Sequence, residues 1–382
     1  MLDNPFNFGD LALDEVFTDR ELELRELTAD IRNGQNVVVF APRRYGKSSL
    51  VWRASSELIA KGEALIAQVD LMRTPTKEQF AARLAEAIYD QIATPLMRAR
   101  ERATNVFRGL RISPTITVDP EDGRVRFGFS GGFAPADVDA TLERLLELPA
   151  ELAAERGKRV AVVFDEFQEV IDLDPRLPAL MRSVFQTQPD IAHVYLGSKR
   201  SLMQRLFNDV NEPFWRSARQ MELGPIAPAS FAPFIRQRFA STGRVVEEET
   251  VARVLDTTGG HPYATQELCY SLWEATEDGG TANASTFAAA LERVLRSEHA
   301  RFTLIWDEAS GVQRLVLQAL AAEPADAITT AEYRRRHGLP GSSSIQRALD
   351  VLVADELVAK LGPGSYRIAE PFLGEWVRRF AA

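Results

Sequence analysis

The stretch Phe40-Ala41-Pro42-Arg43-Arg44-Tyr45-Gly46-Lys47-Ser48-Ser49 limits the possible folds of this 382-residue chain more than any other. Before it, behind the polar Asn33-Gly34-Gln35-Asn36, runs the β-branched Val37-Val38-Val39-Phe40, which reads as a fully buried parallel strand. After it, Leu50 to Ala60 reads as a helix. Strand, glycine-bearing turn and helix, in that order, form the setting of a phosphate-binding loop. The turn and the helix N terminus aim unpaired N–H groups at an anion. Lys47 then reaches the outer phosphates, and the Ser48 hydroxyl a Mg2+ ion. The pattern asks for glycine where Ala41 stands, and alanine fits there as long as φ stays negative. The ordinary alternative is a strand-to-helix turn with a solvated lysine.

A second buried run, Arg159-Val160-Ala161-Val162-Val163-Phe164, ends in Asp165-Glu166. Acids at the carboxyl end of a parallel strand beside the loop strand hold the metal and polarise the attacking water, Asp165 in the first role and Glu166 in the second. Alone, such a pair is also a helix cap. A further strand, Ile191 to Gly197, ends at Ser198, either a sensor of the terminal phosphate or water, or a plain strand-end turn. Arg216 or Arg219 is available to touch nucleotide in its own chain or a neighbour's, or to bind a surface carboxylate. An arginine aimed at the phosphates can supply about 10³–10⁵ in turnover.

The rest of the chain frames these motifs. Thr18 or Asp19 is read as capping a helix with Leu22, Leu24, Leu27 and Ile31 on one face, packed on the sheet or lying against a base. Ala64 to Leu71 reads as a strand, and Thr76 to about Arg102 as one helix. Arg98, Arg100, Arg102 and Arg108 read as a solvated face or a nucleic-acid patch. Residues 110–133 alternate about Asp119-Pro120-Glu121-Asp122-Gly123 and predict a β-hairpin insertion, an edge ribbon or a flap for a partner. A helix over about 136–156 leads into the Asp165 strand, and from Gly224 onward the pattern is helical. There Gly259-Gly260-His261-Pro262-Tyr263 breaks the chain and places proline at a first helical position. Residues 311–382 give three helices and a two-strand ribbon, a winged helix-turn-helix. That segment has nine Lys or Arg against eight Asp or Glu, a net of +1, so DNA and protein are level as its partner.

A net charge of −9 opposes a generally basic nucleic-acid binder. Cys269 is the sole cysteine, on an apolar helix face, which excludes an internal disulfide and fits a reducing compartment. The four histidines are scattered, which disfavours zinc. With no run of eighteen apolar residues and no signal-like start, the expectation is a cytoplasmic protein without a membrane span.

Together these motifs resemble the archaeal-type P-loop ATPases of the STAND group, related to AAA+ proteins. The resemblance rests on Phe17-Thr18-Asp19-Arg20-Glu21, the loop at 41–49, Phe164-Asp165-Glu166-Phe167-Gln168, Leu196-Gly197-Ser198 and Gly259 to Tyr263. It implies an α/β P-loop domain with a parallel sheet at 1–224, a helical lid at 225–300 and a winged helix at 301–382. It also implies ATP or ADP with Mg2+ as ligands. Phe17 and Arg20 are implied to lie near the adenine, with Pro262 touching the base from the helical domain, and homo-oligomers are possible partners. No Asn-Lys-x-Asp motif for guanine is present. The activity so implied is a Mg2+-dependent ATPase used as a conformational switch. Its rivals are an ATP-regulated DNA-binding regulator or transposition helper and an ADP-holding signalling or defence scaffold.

Overall fold

The computed structural model describes residues 3–9, 19–93, 115–118, 125–128 and 135–381. The chain divides into two compact units, Arg20–Gly224 and Met1–Asp19 with Pro225–Ala382.

The first unit is built on strands β1 (Val37–Phe40), β2 (Ala64–Asp70), β5 (Arg159–Asp165), β6 (Ile191–Gly197) and β7 (Arg219–Glu222), in the order β2-β5-β6-β1-β7. Every pairing in this sheet is parallel. The hairpin predicted within 110–133 is present as β3 (Thr115–Val118) antiparallel to β4 (Val125–Gly128); its remaining residues lie outside the described ones.

β1 and β6 are buried along their whole length, as continuous apolar strands covered on both faces must be. One expectation is corrected here. The Asp165 strand was placed beside the loop strand, but β6 is inserted between β5 and β1. Both neighbours are uniformly apolar, so hydrophobic pattern could not rank them.

The helix predicted from Thr76 to about Arg102 is described as far as Ala93. The α-helix is Lys77–Ala87, capped by Thr76 Oγ1 accepting the Gln79 N–H at 3.3 Å, and it passes into a π-helical turn, Ile88–Ala93. The arginines predicted to cluster from 98 to 108 lie outside the described residues. Lys77 Nζ at the start of this helix donates to Asp139 at 2.6 Å, on the helix Pro135–Arg156, and to Asp174 at 2.8 Å. Hydrogen bonds from Arg176 and then Lys77 hold the Asp174 carboxyl far below its usual range. A depressed carboxylate stabilises the fold above its unfolded value of about 3.9 and loses that contribution as pH falls below it. Lys77→Met is therefore expected to cost about 1–3 kcal/mol at pH 7. In thermal melts the gap to the parent should narrow below about pH 4.

In the second unit, Phe6 packs on Phe234 and Phe239 with ring centroids 6.3 and 5.3 Å apart, and Phe8 on Tyr263 and Tyr270 at 5.7 and 5.2 Å. Residues 3–9 therefore belong with the helical segment. One apolar core runs from Phe231 through Phe302 to Trp376 and Val377. Helices Gly311–Ala322, Ala331–Arg336 and Ser342–Ala354 with the ribbon Val358–Gly362/Ser365–Ile368 make the winged helix. The sequence reading had not marked Ala284–Glu308 or Pro371–Phe380, which Trp376 Nε1 links by donating to His299 Nδ1 at 2.9 Å. Pro262 opens its helix as expected. A Cβ on Gly260 would meet Ile226 O at 2.2 Å, the close backbone approach its glycine permits. Cys269 is fully buried, and burial pushes its thiol well up, so it packs as an inert apolar group. Among the described residues no helix is long and apolar enough to cross a membrane.

Candidate nucleotide site

Strand register assembles the site. Phe40 pairs with Gly197, and Phe164 with Tyr195. Ala41 is therefore level with Ser198, and Glu166 with Gly197, all at the carboxyl edge of the sheet. In open parallel sheets that edge is where ligands bind.

The loop between β1 and the helix Lys47–Ala60 has left-handed backbone at Arg44, φ 65°, and at Gly46, φ 84°. No atom lies within 4 Å of a Cβ built on Gly46, so its conformation alone requires glycine. Ala41 is buried and is not among the positive-φ residues, which removes the objection to alanine there. Arg43 and Arg44 are exposed, whereas Pro42 is half-buried and Tyr45 and Ser49 are buried. Lys47 is buried, with Nζ donating to Ala41 O at 2.9 Å and Pro42 O at 3.2 Å. The ammonium thus lies inside the loop's curve, beside the helix N terminus where an anion is favoured.

Ser48 Oγ donates to Asp165 Oδ2 at 3.1 Å, bridging across the intervening β6. Asp165 Oδ1 accepts the Glu166 N–H at 2.9 Å. Burial, and then the charge of Glu166, raise the Asp165 carboxyl above its usual range, against the pull of those two donors. A hydroxyl and a partly desolvated carboxylate side by side are hard oxygen donors that suit Mg2+, an ion bound by one or two protein oxygens with phosphate and water completing its shell. The residues present therefore fit that cation.

Glu166 turns the chain with φ 51° and ψ 47°, a conformation uncommon outside glycine and one that collects at functional sites. Phe167 pins the turn, fully buried with its ring 4.6 Å from Tyr195 and 5.2 Å from Phe214. Glu166 Oε2 accepts from Ser198 Oγ at 2.8 Å and from Gln168 Nε2 at 2.5 Å. Ser198 is almost wholly buried. The sequence reading quoted Gln168 only as part of a motif. Its one signal is an amide two places after the acid pair, between Phe167 and Glu169.

The buried Arg20 guanidinium donates to Gly224 O and to Glu23 at 3.0 Å, joining the two ends of its unit. Phe17 lies outside the described residues, and Pro262 belongs to the other unit. Arg216 is exposed, with its guanidinium 5.1 Å from the Trp215 ring centre, just ahead of β7 at the amino edge of the sheet. Arg219 pairs with Glu26 at 3.0 Å and Asp30 at 2.7 Å. Of the two readings offered for Arg219, the surface carboxylate is the one found.

A family model described as "ATPase domain predominantly from Archaea" matches residues 17–268, and one described as "Probable winged helix domain" matches residues 300–379. No curated protein matches the sequence. Among solved structures, the Walker-type ATPase of Pyrococcus abyssi is similar, with a TM-score of 0.66, 18% identity, and 98% of this chain and 99% of that chain covered. The ORC1 protein of Aeropyrum pernix in complex with DNA aligns with a TM-score of 0.49, 14% identity, and 96% and 94% coverage. The ADP form of that organism's ORC2 protein aligns at 0.49, with 16% identity and 94% and 93% coverage. At such identities the likeness bears on fold alone. The matched span takes in the loop, both acids and Ser198, and the chain belongs to the family of ATPase domains found predominantly in archaea, here followed by a winged helix.

Proposed function

We propose that this protein binds ATP at the carboxyl edge of its sheet and hydrolyses it to ADP and phosphate with Mg2+, serving as a nucleotide-driven conformational switch in the cytoplasm. The observation that carries the reading is the 3.1 Å bond from Ser48 to Asp165, which unites the loop and the acid pair across a strand that separates them. Main-chain amides of residues 43–46 and Lys47 take the phosphates, with Ala41, Pro42, Arg43, Arg44, Tyr45 and Ser49 shaping the loop. Ser48 and Asp165 hold the Mg2+, which when bound neutralises charge on the phosphate oxygens. Glu166 accepts a proton from water as the water oxygen bonds to the γ-phosphorus. The bond to the bridging oxygen breaks, and its electron pair leaves with ADP. Ser198, which donates to Glu166, reports the γ-phosphate in this reading. Arg216, at the amino edge of the sheet, reaches phosphates only from a neighbouring copy.

Lys47→Ala should weaken ATP about 10–100-fold, the loss of one charge-assisted contact, in a calorimetric titration with Mg2+ present. Unchanged affinity would defeat the site assignment. Mass spectrometry of nucleotide released from purified protein separates the switch from the ADP-holding scaffold.

The winged helix raises a second reading, a DNA contact, which its side chains weigh against. Its arginines are mostly engaged within the fold: Arg336 makes two bonds to Glu323, Arg334 bonds Pro340 O, and Arg347 bonds Ser343 O. That favours a protein partner for this surface over a phosphate backbone.

A further inference from the structure

We propose that Gln168 is a positioning residue that sets the orientation of the Glu166 carboxylate for water activation, an inference that rests on the ATPase reading above. Gln168 is 1% exposed, on a three-residue 3-10 turn whose first residue, Phe167, is locked in the aromatic core. Its Nε2 donates to Glu166 Oε2 at 2.5 Å, on the same oxygen that accepts from Ser198 Oγ at 2.8 Å, and more distantly to Glu169 Oε1 at 3.4 Å. Two donors on Oε2 anchor the carboxylate by one oxygen and leave Oε1 as the oxygen to take a proton. A single donor would leave the group free to rotate about its last bond, a broad torsion with little intrinsic preference.

Gln168 is also costly where it sits. Its Oε1 is buried without a hydrogen-bond partner, which in a packed interior calls for a reason. A Cβ on Gly197 would fall 2.8 Å from that oxygen and 2.3 Å from Met203 Cγ. Glycine immediately before Ser198 thus leaves the room in which the amide lies. A residue chosen for packing alone would be apolar here. An amide kept with one acceptor unmet, its donor on the water-activating acid, is a signature of positioning.

The test uses the full chain, with single-turnover hydrolysis of ATP under excess protein, equilibrium binding of MgATP and thermal melts. Gln168→Met keeps the length and removes the donor. The expected result is hydrolysis slowed about 10–100-fold, MgATP affinity within about twofold, and a melting temperature equal to or above the parent's, because the unmet acceptor is also removed. In a Glu166→Gln background, adding Gln168→Met should change the residual rate by less than about twofold, since residues acting as a unit are not additive. Should Gln168→Met fail to fold, Gln168→Glu, the same length with an acceptor in place of the donor, should slow hydrolysis at least as much. Hydrolysis within twofold of the parent overturns the inference. So does a loss of rate that tracks a loss of affinity or of melting temperature. If Glu166→Gln stops hydrolysis while Gln168→Met does not, this inference alone fails. If Glu166→Gln hydrolyses like the parent, the ATPase reading fails first.

Discussion

Glu166→Gln should bind MgATP within about twofold of the parent and hydrolyse it about 10²–10⁴-fold more slowly, the range that a positioned general base supplies. The substitution is nearly isosteric. The carbonyl oxygen of the new amide can still accept from Ser198 and Gln168, so the left-handed turn at 166 and the aromatic packing of Phe167 have no cause to change. What is lost is the ability to take a proton from water. In the proposed site, binding falls to other groups: the loop amides, Lys47, and the Ser48–Asp165 pair. Single-turnover hydrolysis and calorimetry on the same preparations separate the two effects. Equal rates in variant and parent would remove Glu166 from the mechanism. A parallel loss of affinity would make it a binding residue instead.

How much of this was legible in the sequence depended on how local the cause was. The run Val37–Phe40, the Gly46-Lys47-Ser48 turn and the Asp165-Glu166 pair each carry their own signal within a few residues, and the structure has strand, turn and strand end there. The hairpin strands at 115–118 and 125–128 were legible for the same reason, since alternation about a turn is local. Strand order was not. That β6 separates β5 from β1 follows from crossover connections, which leave no residue-level mark. β7, Arg219–Glu222, escaped notice because an edge strand needs little apolar surface: only Met221 is buried. Arg20 was named through the resemblance alone, and its bond to Gly224 O, 204 residues away in the chain, leaves no local mark. Gln168 was hidden more deeply. An amide in the turn Phe167–Glu169 gains meaning only once its donor is seen on Glu166.

The same distinction between a group kept for the fold and a group kept for chemistry gives Asp165→Asn two effects of opposite sign. Burial, and then the charge of Glu166, lift the Asp165 carboxyl above its usual range. A carboxyl raised in the folded state holds its proton more tightly there than in the unfolded chain. Stability therefore falls as pH rises from the unfolded value of about 3.9 through the raised one, and at neutral pH that contribution is already lost. Asparagine carries no charge to bury and still offers an acceptor to Ser48 or to the Glu166 N–H. Without Mg2+ or nucleotide the variant should melt above the parent at pH 7, with the difference shrinking towards pH 4. With saturating MgATP the order should reverse. The parent gains RT ln(1 + [L]/Kd), whereas the variant, having lost the anionic oxygen that suits the metal, gains less. Turnover should fall about 10²–10³-fold, the loss of a few kcal/mol of charge stabilisation. A variant that melts below the parent without ligand, and rises as far as the parent when MgATP is added, would mean that Asp165 is a structural cap and that the metal is held elsewhere. Crossing melting curves would mark a carboxylate retained against the interest of the fold, as a metal-binding acid at an active site is expected to be.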